Sequence, residues 1–414
     1  MYCTKKKIFY FKKSLDFYKK IDYKFISDKL STQTFVNETS QYDLKGGLIM
    51  KKFDYMEKFG HEQLVFFHDK ATGLKGITAI HDTTLGPALG GTRLWNYATE
   101  EEAVEDVLRL SRGMTYKAAC AGLNLGGGKT VLIGDPKKVK NEAYFRGLGR
   151  FVQSLNGRYI TAEDVNTSTK DMLFLSMETD HVVGLPGKSG NPSPVTAWGV
   201  FAGLKATLKE TFGTDSVADR TFAVQGAGQT GYFLINYLLG YNFLTDTYTN
   251  EKAKKIYFTE VNEDHIARMK AEHPEVEFVA PDDIYGLDVD LFAPCALGGV
   301  INDKTIPQFK CKAIAGSSNN VLKEDFHADV LKEKGIIYAP DYVINAAGLI
   351  NVYYEIGGYN RANALNDSEL IYDRLLDIYR ISKEKNISTH TAASEYAEHR
   401  MEIMKNIGRT YIKR

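Results

Sequence analysis

One short segment constrains the fold more than any other, a glycine-rich turn between two predicted β-strands. The predicted strand TFAVQ (221–225) runs directly into GAGQTG (226–231), and the apolar sequence YFLINYLL (232–239) then favours a helix. A second predicted strand, KKIYFTE (254–260), ends in the acidic residue Glu260. This order of strand, glycine turn, helix and strand is typical of the βαβ unit that binds dinucleotides. The sequence therefore predicts an α/β protein that contains a Rossmann dinucleotide-binding domain.

The three glycines of the turn have different predicted roles. Gly226 permits the tight turn, Gly228 lets the backbone approach a pyrophosphate, and Gly231 lets the helix pack closely on the strand. The N-terminus of the helix also favours the negative charge of a phosphate. The predicted cofactor site therefore comprises the whole turn and the acid that closes the unit: Gly226, Ala227, Gly228, Gln229, Thr230, Gly231 and Glu260.

Glu260 indicates which dinucleotide is bound. A carboxylate at this position accepts hydrogen bonds from the ribose hydroxyls and repels the extra phosphate of NADP. The residues that follow, VNED (261–264), contain no arginine that would reverse this preference, so the predicted cofactor is NAD. Glu260 lies 34 positions after Gly226, whereas the usual spacing is about 20. We expect the polar stretch from Thr245 to Lys255 to be an inserted loop that accounts for the difference.

A second glycine-rich segment, GMTYKAACAGLNLGGGKT (113–130), contains Lys117 and Lys129. It is not a P-loop, because position 123, where that motif requires glycine, is leucine. The glycines at 126–128 are expected to let the backbone approach a small ligand, and two lysines beside one small anion suit a carboxylate substrate. If the two lysines share a cleft, each lowers the pKa of the other and burial lowers both further, so that one can act as a neutral base.

A predicted strand in RYITAEDVN (158–166) ends at Glu163 and Asp164. A carboxylate at a strand end beside lysines can exchange protons with a substrate. A helix cap or a surface salt bridge is the structural alternative for such an acid.

Composition excludes several classes of protein. Lysine plus arginine equals aspartate plus glutamate, at 52 each, so no overall field attracts nucleic acid or an acidic membrane surface. The four cysteines form no CxxC pair and the histidines form no HExxH motif, so no metal site is predicted. Free cysteines are typical of a reducing compartment, which favours a cytoplasmic location. No apolar run reaches the roughly 18 residues of a membrane span.

Alternating short apolar runs and helical patterns, such as the predicted helix at 99–112, indicate α/β organisation. Residues 1–49 mix lysines with aromatics without a regular period, and we expect them to be disordered or to result from an upstream start. Three further segments are predicted: a substrate-binding and oligomerisation domain at 50–184, the Rossmann domain at 185–370, and C-terminal helices at 371–414 that return to the first domain.

Seven segments, in order, resemble the leucine dehydrogenases, which belong to the wider family of glutamate, leucine, phenylalanine and valine dehydrogenases. They are LGPALGGTR (85–93), GMTYKAACAGLNLGGGK (113–129), GRYITAEDV (157–165), GNPSPVTAWGV (190–200), DLFAPCALGGVIN (290–302), GSSNN (316–320) and APDYVINAAGLINV (339–352). The resemblance runs from about Met50 to the C-terminus. It implies two domains around a deep cleft, with the N-terminal domain building a homo-oligomer, commonly an octamer.

The resemblance also implies roles for individual residues. Lys117 would bind the α-carboxylate, Lys129 would activate water, and Asp164 would exchange protons with the substrate nitrogen. Gly90 and Gly91 belong to the loop against the substrate. The predicted side-chain pocket comprises Leu89, Ala162, Leu349 and Val352. The cofactor site is extended by Thr196, Cys295, Ala296, Asn319 and Asn345, and Asn319 is expected near the substrate as well.

The implied reaction is NAD-dependent, reversible oxidative deamination of leucine, isoleucine or valine to a 2-oxo acid and ammonia. Glutamate dehydrogenases have lysine at the position of Leu89, so an apolar residue there argues against glutamate. Ala347 replaces the usual glycine in VINAGG and is expected beside the pocket, with Leu349. Phenylalanine or valine dehydrogenase activity, and a catalytically silent NAD or amino-acid sensor, are the alternatives.

Overall fold

The computed structural model describes residues 40–42 and 48–407, and the chain divides into two compact units, Met1–Gly60 and His61–Arg414. In the first unit, β1 (Ser40–Tyr42) pairs antiparallel with β2 (Leu48–Met50), and α1 (Lys52–Phe59) follows. Most of residues 1–49, the segment expected to be disordered or to result from an upstream start, lies outside the described residues.

The second unit contains a five-stranded sheet of order β3-β4-β6-β5-β7. β3 and β4 are antiparallel, β6 is antiparallel to β4, and β5 is parallel to both β6 and β7. The strands and the helices that follow them are β3 (Gln63–Asp69), β4 (Leu74–Asp82), β5 (Ala88–Trp95), α2 (Glu100–Cys120), β6 (Gly126–Ile133), α3 (Pro136–Val139), α4 (Glu142–Ser154), β7 (Tyr159–Glu163) and α5 (Thr169–Ser176).

Helix α2 carries residues of the predicted site and has clear physical signals at its start. The Thr99 side chain accepts a hydrogen bond from the Glu102 amide, and three glutamates lie in the first turn, where the helix dipole favours negative charge. The sequence predicted a helix only over 99–112, but α2 continues to Cys120. Gly113 does not end the helix because its position is exposed and requires no unusual backbone angle. Lys117 therefore lies on a helix and not in a loop.

A second sheet of the same unit is fully parallel, with the order β12-β11-β8-β13-β14-β15. If β8 is counted as strand 1, the order is 3-2-1-4-5-6, as in a doubly wound dinucleotide-binding fold. The chain adds strands on one side of β8 first and then on the other, so the strand order reverses between β8 and β13. The predicted Rossmann fold is therefore confirmed. The strands are β8 (Thr221–Gln225), β11 (Lys255–Thr259), β12 (Glu277–Phe278), β13 (Leu291–Pro294), β14 (Ala313–Ile314) and β15 (Ile337–Tyr338).

Helices cover this parallel sheet and connect its strands. The α-helices are α6 (Pro192–Phe212), α7 (Gln229–Leu238), α8 (Glu263–Glu272), α9 (His327–Glu333), α10 (Asp341–Ile344) and α11 (Ala347–Tyr353). Two short 3₁₀ helices lie at Ile284–Gly286 and Ile306–Gln308. The extra residues before Glu260 include two short strands, β9 (Tyr241–Asn242) and β10 (Thr247–Tyr248), which pair antiparallel. The predicted inserted loop, Thr245 to Lys255, therefore contains the second strand of a small hairpin and ends at the start of β11.

The chain ends in α12 (Arg361–Glu369), α13 (Ile371–Lys385) and α14 (Thr389–Ile407). Arg400 on α14 reaches the C-terminal end of α2, where its guanidinium donates to the carbonyls of Leu123 at 2.7 Å, Gly122 at 3.0 Å and Ala119 at 3.1 Å. The Ala119 carbonyl lies in the last turn of α2 and those of Gly122 and Leu123 follow the helix, so Arg400 caps the C-terminal end of α2. Within the described residues, no helix has the length and apolarity needed to cross a membrane.

Candidate active site

Strand register brings four of the predicted residues to one face of the five-stranded sheet. Leu89 lies opposite Gly127 on β6, and Gly91 lies opposite Ala162 on β7. Because side chains two residues apart in a strand point to the same side, Lys129 shares this face with Leu89, Gly91 and Ala162. Helix α2 covers the same face.

The three glycines of β6 allow close packing, and Gly127 lets this helix approach the sheet. A Cβ atom on Gly127 would lie 2.1 Å from the Thr115 amide nitrogen of α2, and one on Gly126 would lie 2.0 Å from the Asp82 carbonyl oxygen. A Cβ on Gly128 would lie 2.7 Å from the Tyr159 ring. Protein atoms thus occupy the space that these glycines leave free. The expectation that this segment makes room for a ligand is corrected, since its glycines serve packing.

Lys129 and Asp164 form a buried ion pair. The Lys129 Nζ lies 2.9 Å from Asp164 Oδ2, and Lys129 is only 5% exposed. Burial lowers the pKa of Lys129, and the charge of Asp164 only partly opposes this effect. Burial raises the pKa of Asp164, but the charges of Lys129 and Arg93 outweigh it, so this pKa lies below its usual range. The pair thus combines a carboxylate with an ammonium group that releases its proton more readily than an exposed lysine.

Lys117 connects the two sheets. Its Nζ donates a hydrogen bond of 2.7 Å to Asn345 Oδ1, and Asn345 Nδ2 donates to Asn319 Oδ1, also at 2.7 Å. Burial lowers the pKa of Lys117 to about 8, with Asp341 opposing and Lys129 adding to the effect. The predicted influence of Lys129 on the other lysine is therefore confirmed. The structure also brings together Lys117, Asn345 and Asn319 as the predicted site requires.

The three glycines of the turn after β8 have different surroundings, as their predicted roles require. Gly226 has a φ of +95°, and a Cβ there would lie 2.8 Å from the Ala296 side chain. A Cβ on Gly228 would meet only Glu260 Oε2, at 4.0 Å, so the space above this residue is open. A Cβ on Gly231 would lie 1.9 Å from the Gly226 carbonyl oxygen, which shows how closely α7 packs on β8. Gln229 and Thr230 are the first residues of α7.

Glu260 lies directly after β11, beside this turn. Its Oε2 accepts the Ala227 amide at 2.9 Å, and its Oε1 accepts the Val261 amide at 2.8 Å. Burial raises the pKa of Glu260, but hydrogen bonds from backbone amides outweigh it, so the pKa is lowered and the side chain is ionised at neutral pH. Oε1 also accepts the Asn262 amide at 3.1 Å, whereas Oε2 can accept a further hydrogen bond. An open glycine, a helix N-terminus and an ionised acid fit the phosphate and ribose of a dinucleotide.

Two other predicted cofactor residues, Cys295 and Ala296, follow β13, and a third, Thr196, lies on α6. Cys295 follows β13, and its amide donates to the Gln225 carbonyl of β8 at 2.7 Å. Ala296 lies against Gly226, as described above. Thr196 on α6 donates to the Pro192 carbonyl at 2.9 Å, and a Cβ on Gly348 would lie 2.8 Å from its Oγ1.

The residues of the predicted side-chain pocket come from the five-stranded sheet and from helix α11. Leu349 and Val352 are three residues apart on α11 and therefore share a helix face. Leu89 and Leu349 belong to one hydrophobic cluster, against which Ala162 and Val352 pack. The structure does not place the Ala347 methyl beside this pocket. Ala347 is fully buried against α6, where a Cβ on Gly199 would lie only 2.4 Å from its own Cβ, so this expectation is corrected.

The sequence interpretation missed two charged groups next to the site. Arg93 Nε donates to Asp164 Oδ2 at 3.0 Å, and its Nη1 donates to Asp106 Oδ2 at 2.9 Å. Arg93 is the last residue of the segment LGPALGGTR, so its proximity to Gly90 and Gly91 was the available signal. Asp106, on α2, resembles any exposed helix residue in the sequence.

Glu355 was also missed. It is 6% exposed and accepts hydrogen bonds from the amides of Gly184 at 2.9 Å and Ser189 at 3.2 Å, as well as from the Ser189 hydroxyl. Residues 184–189 connect the five-stranded sheet to α6, so a buried carboxylate holds the connection between the two sheets.

Comparison with known proteins gives consistent matches over almost all of the described chain. Residues 61–181 match the family described as Glu/Leu/Phe/Val dehydrogenase, dimerisation domain, and residues 187–407 match Glutamate/Leucine/Phenylalanine/Valine dehydrogenase. The chain is 55% identical to leucine dehydrogenase of Geobacillus stearothermophilus, with 86% of this chain and 95% of that protein covered. It is 56% identical to leucine dehydrogenase of Thermoactinomyces intermedius, with 88% and 97% covered. The crystal structure of L-tryptophan dehydrogenase from Nostoc punctiforme has a TM-score of 0.76 and 43% identity, with 86% of this chain and 99% of that chain covered.

Proposed function

The chain belongs to the Glu/Leu/Phe/Val dehydrogenase family, and from that premise we propose that it catalyses the reversible, NAD-dependent oxidative deamination of leucine, isoleucine and valine. It is an amino acid dehydrogenase of the leucine dehydrogenase type. The observation that carries the proposal is the buried Lys129–Asp164 pair on the same sheet face as apolar Leu89, with Lys117 reaching the second sheet through Asn345.

A nicotinamide cofactor is implied by the family, and the residues present fit it. The glycine turn and the N-terminus of α7 would hold the pyrophosphate, and Glu260 would hold the ribose. A bound nicotinamide would supply the acceptor for the hydride of the substrate Cα. We propose NAD and not NADP, because the ionised Glu260 carboxylate would repel a 2′-phosphate.

The substrate is held and activated by groups of this chain. Lys117 binds the α-carboxylate, since it supplies a cation on the helix that covers the sheet face. Once the substrate has been oxidised to its iminium, Lys129 takes a proton from the water that attacks the iminium carbon. Asp164 exchanges protons with the substrate nitrogen as ammonia leaves and the 2-oxo acid forms. A lysine whose pKa is lowered by burial is suited to act as a base near neutral pH.

The proposed pocket selects branched aliphatic side chains. Leu89, Ala162, Leu349 and Val352 provide apolar surface and no cation, so a glutamate side chain would bury a carboxylate without a partner. Such burial costs several kcal/mol. Leucine and valine differ by about one methylene, which allows discrimination of only about 10- to 200-fold.

The experiment that tests the proposal is a spectrophotometric panel of leucine, isoleucine, valine, phenylalanine, tryptophan and glutamate, each with NAD and NADP. We expect the highest kcat/KM with the three branched amino acids and NAD. A value for glutamate equal to that for leucine would contradict the pocket assignment. NAD binding without turnover of any amino acid would favour the silent sensor.

Activity on aromatic amino acids is the second candidate. The likeness to L-tryptophan dehydrogenase over 86% of this chain favours it, since the same fold accommodates that enzyme. The same panel distinguishes the two, because a pocket for aromatic side chains gives a higher kcat/KM with phenylalanine or tryptophan than with leucine.

The assembly, location and domain limits are also proposals. We propose a homo-oligomer, an octamer by resemblance to the leucine dehydrogenases, in the cytoplasm, with a substrate domain at 50–184, a cofactor domain at 185–370 and returning helices at 371–414. Matches that change family description between residues 181 and 187 support the first boundary. Sedimentation equilibrium of the full chain tests the octamer, and a mass of a dimer or hexamer would contradict it.

A further inference from the structure

A chain of charged groups leads from the buried lysine to the protein surface. Lys129 contacts Asp164, Asp164 contacts Arg93, and Arg93 contacts Asp106. Asp106 Oδ2 also accepts the Tyr97 hydroxyl at 2.7 Å. The participating residues come from β5, β6, α2 and the segments that follow β5 and β7, so the fold assembles the chain from sites far apart in sequence.

The two cations bind the same oxygen of Asp164. Lys129 Nζ lies 2.9 Å and Arg93 Nε lies 3.0 Å from Oδ2, whereas Oδ1 has no hydrogen-bond partner among the described residues. The Asp164 side chain is 25% exposed. One oxygen is therefore fixed by the protein and the other remains available to a substrate nitrogen.

The rigid guanidinium of Arg93 holds the carboxylates of Asp164 and Asp106 at fixed positions relative to each other. It is planar, and its Nε and Nη1 donate to Asp164 and Asp106, at 3.0 Å and 2.9 Å. Because the positions of these two donors relative to each other are rigid, the placement of Asp106 sets the placement of Arg93 and hence of the Asp164 carboxylate. A lysine could not bridge both carboxylates in this way.

We propose that Arg93 is a positioning residue for the Lys129–Asp164 pair, and that Asp106 holds Arg93 in place and balances its charge. This inference rests on the proposed function, because it assigns Asp164 Oδ1 to the substrate nitrogen. Arg93 itself touches neither substrate nor cofactor and acts through Asp164.

The electrostatic consequences of the two supporting residues are opposite. A nearby positive charge favours loss of a proton, so Arg93 lowers the pKa of both members of the pair, while the negative charge of Asp106 opposes it. The titratable and charged groups near the pair and Arg93 are Lys117, Asp106, Tyr97 and Tyr159, and Asp106 Oδ1 also accepts a hydrogen bond from exposed Arg109 at 3.1 Å. Both members shift in the same direction, so the sign holds whichever of them loses the proton.

The test compares Arg93→Gln with Asp106→Asn in the full-length enzyme, by the pH dependence of kcat/KM for leucine oxidation. Activity requires a neutral Lys129 and an ionised Asp164, so kcat/KM falls as the pH is lowered. Arg93→Gln removes a cation, and the acid limb should move to higher pH by about one unit. Asp106→Asn keeps an oxygen acceptor for Arg93 but removes the negative charge, so the limb should move to lower pH by about half a unit. At the optimum, Arg93→Gln should lower kcat about 10- to 100-fold with little change in KM.

Arg150→Gln is the matched control. Arg150 pairs with Glu178 but is 73% exposed and takes no part in the chain of contacts to Asp164, so its profile should equal that of the wild type. Shifts in the same direction for Arg93→Gln and Asp106→Asn, or no shift in either, would overturn the inference. If Arg93→Gln does not fold, the inference is tested by Asp106→Asn alone: its acid limb should move to lower pH, and an unchanged limb would overturn the inference. A wild type without turnover would overturn the proposed function and this inference together, whereas normal turnover with unshifted profiles overturns only the inference.

Discussion

Two glycines of the same turn should respond to alanine in opposite ways. A Cβ on Gly228 meets only one atom, Glu260 Oε2 at 4.0 Å, so the chain without cofactor can accept Gly228→Ala. A Cβ on Gly231 would lie 1.9 Å from the backbone oxygen of Gly226. We therefore expect Gly228→Ala to weaken cofactor binding and Gly231→Ala to weaken the fold.

The magnitudes follow from these contacts. At Gly228 the methyl group would occupy the space through which a pyrophosphate reaches the N-terminus of α7. Loss of one charge-assisted hydrogen bond costs about 1.5–3 kcal/mol, which raises Kd for NAD about 10- to 150-fold. At Gly231 carbon and oxygen must separate to about 3.3 Å, the distance of a close C–H···O contact. Overpacking of this kind costs about 1–3 kcal/mol, and each kcal/mol lowers Tm by about 2–4 °C in a domain of 150–250 residues.

Titration calorimetry with NAD and scanning calorimetry without it measure the two effects separately. Gly228→Ala should show a Tm near that of the wild type and a raised Kd, and Gly231→Ala should show a lowered Tm before any ligand is added. The reasoning fails if Gly228→Ala binds NAD as tightly as the wild type. It fails equally if Gly231→Ala melts at the wild-type temperature.

Four further substitutions test the proposed chemistry. Lys129→Ala should lower kcat for leucine about 100-fold or more, while the affinity for NAD measured by calorimetry is unchanged. A normal kcat for Lys129→Ala would contradict its role as base. Lys117→Ala should mainly raise KM for leucine. Glu260→Ser should reduce the ratio of kcat/KM for NAD over NADP, because the repulsion of a 2′-phosphate is lost, and an unchanged ratio would show that Glu260 does not select the cofactor. Leu89→Lys should lower kcat/KM for leucine by placing a charge in the apolar pocket and raise it for glutamate; undiminished leucine turnover would remove Leu89 from the pocket.

Sequence motifs between neighbouring elements predicted the fold of the parallel sheet, but they did not predict the strand order of the five-stranded sheet. In the parallel sheet, the glycine turn after β8 and the acid after β11 have local signals, and the predicted α/β class and Rossmann fold are confirmed. The mixed pairing of β4 with β6 depends on contacts between residues about 50 positions apart, as between Ala79 and Lys129. Such pairing leaves no local pattern, so the strand order of that sheet could not be predicted.

The candidate site was predictable where the motif itself carries the chemistry. Lys117, Lys129 and Asp164 were predicted from motifs, and the structure places Lys129 against Asp164 and Lys117 against Asn345. Asp106 could not be identified, because an acid on the exposed side of a predicted helix has many uses. Ala347 was misplaced because the sequence does not show which side of α11 faces α6, and only the gap left by Gly199 reveals it.

The contact between α14 and α2 has a consequence for synthesis of the chain. Arg400 caps the helix that carries Lys117, yet it is translated more than 275 residues after the carbonyls it binds. While a nascent chain is being elongated, α2 can form against β6, but its last turn has no such donor until α14 has left the ribosome. The loop that must close is long, so this contact forms late. Until α14 has been synthesised, the helix that carries Lys117 therefore lacks the guanidinium that caps its C-terminal end.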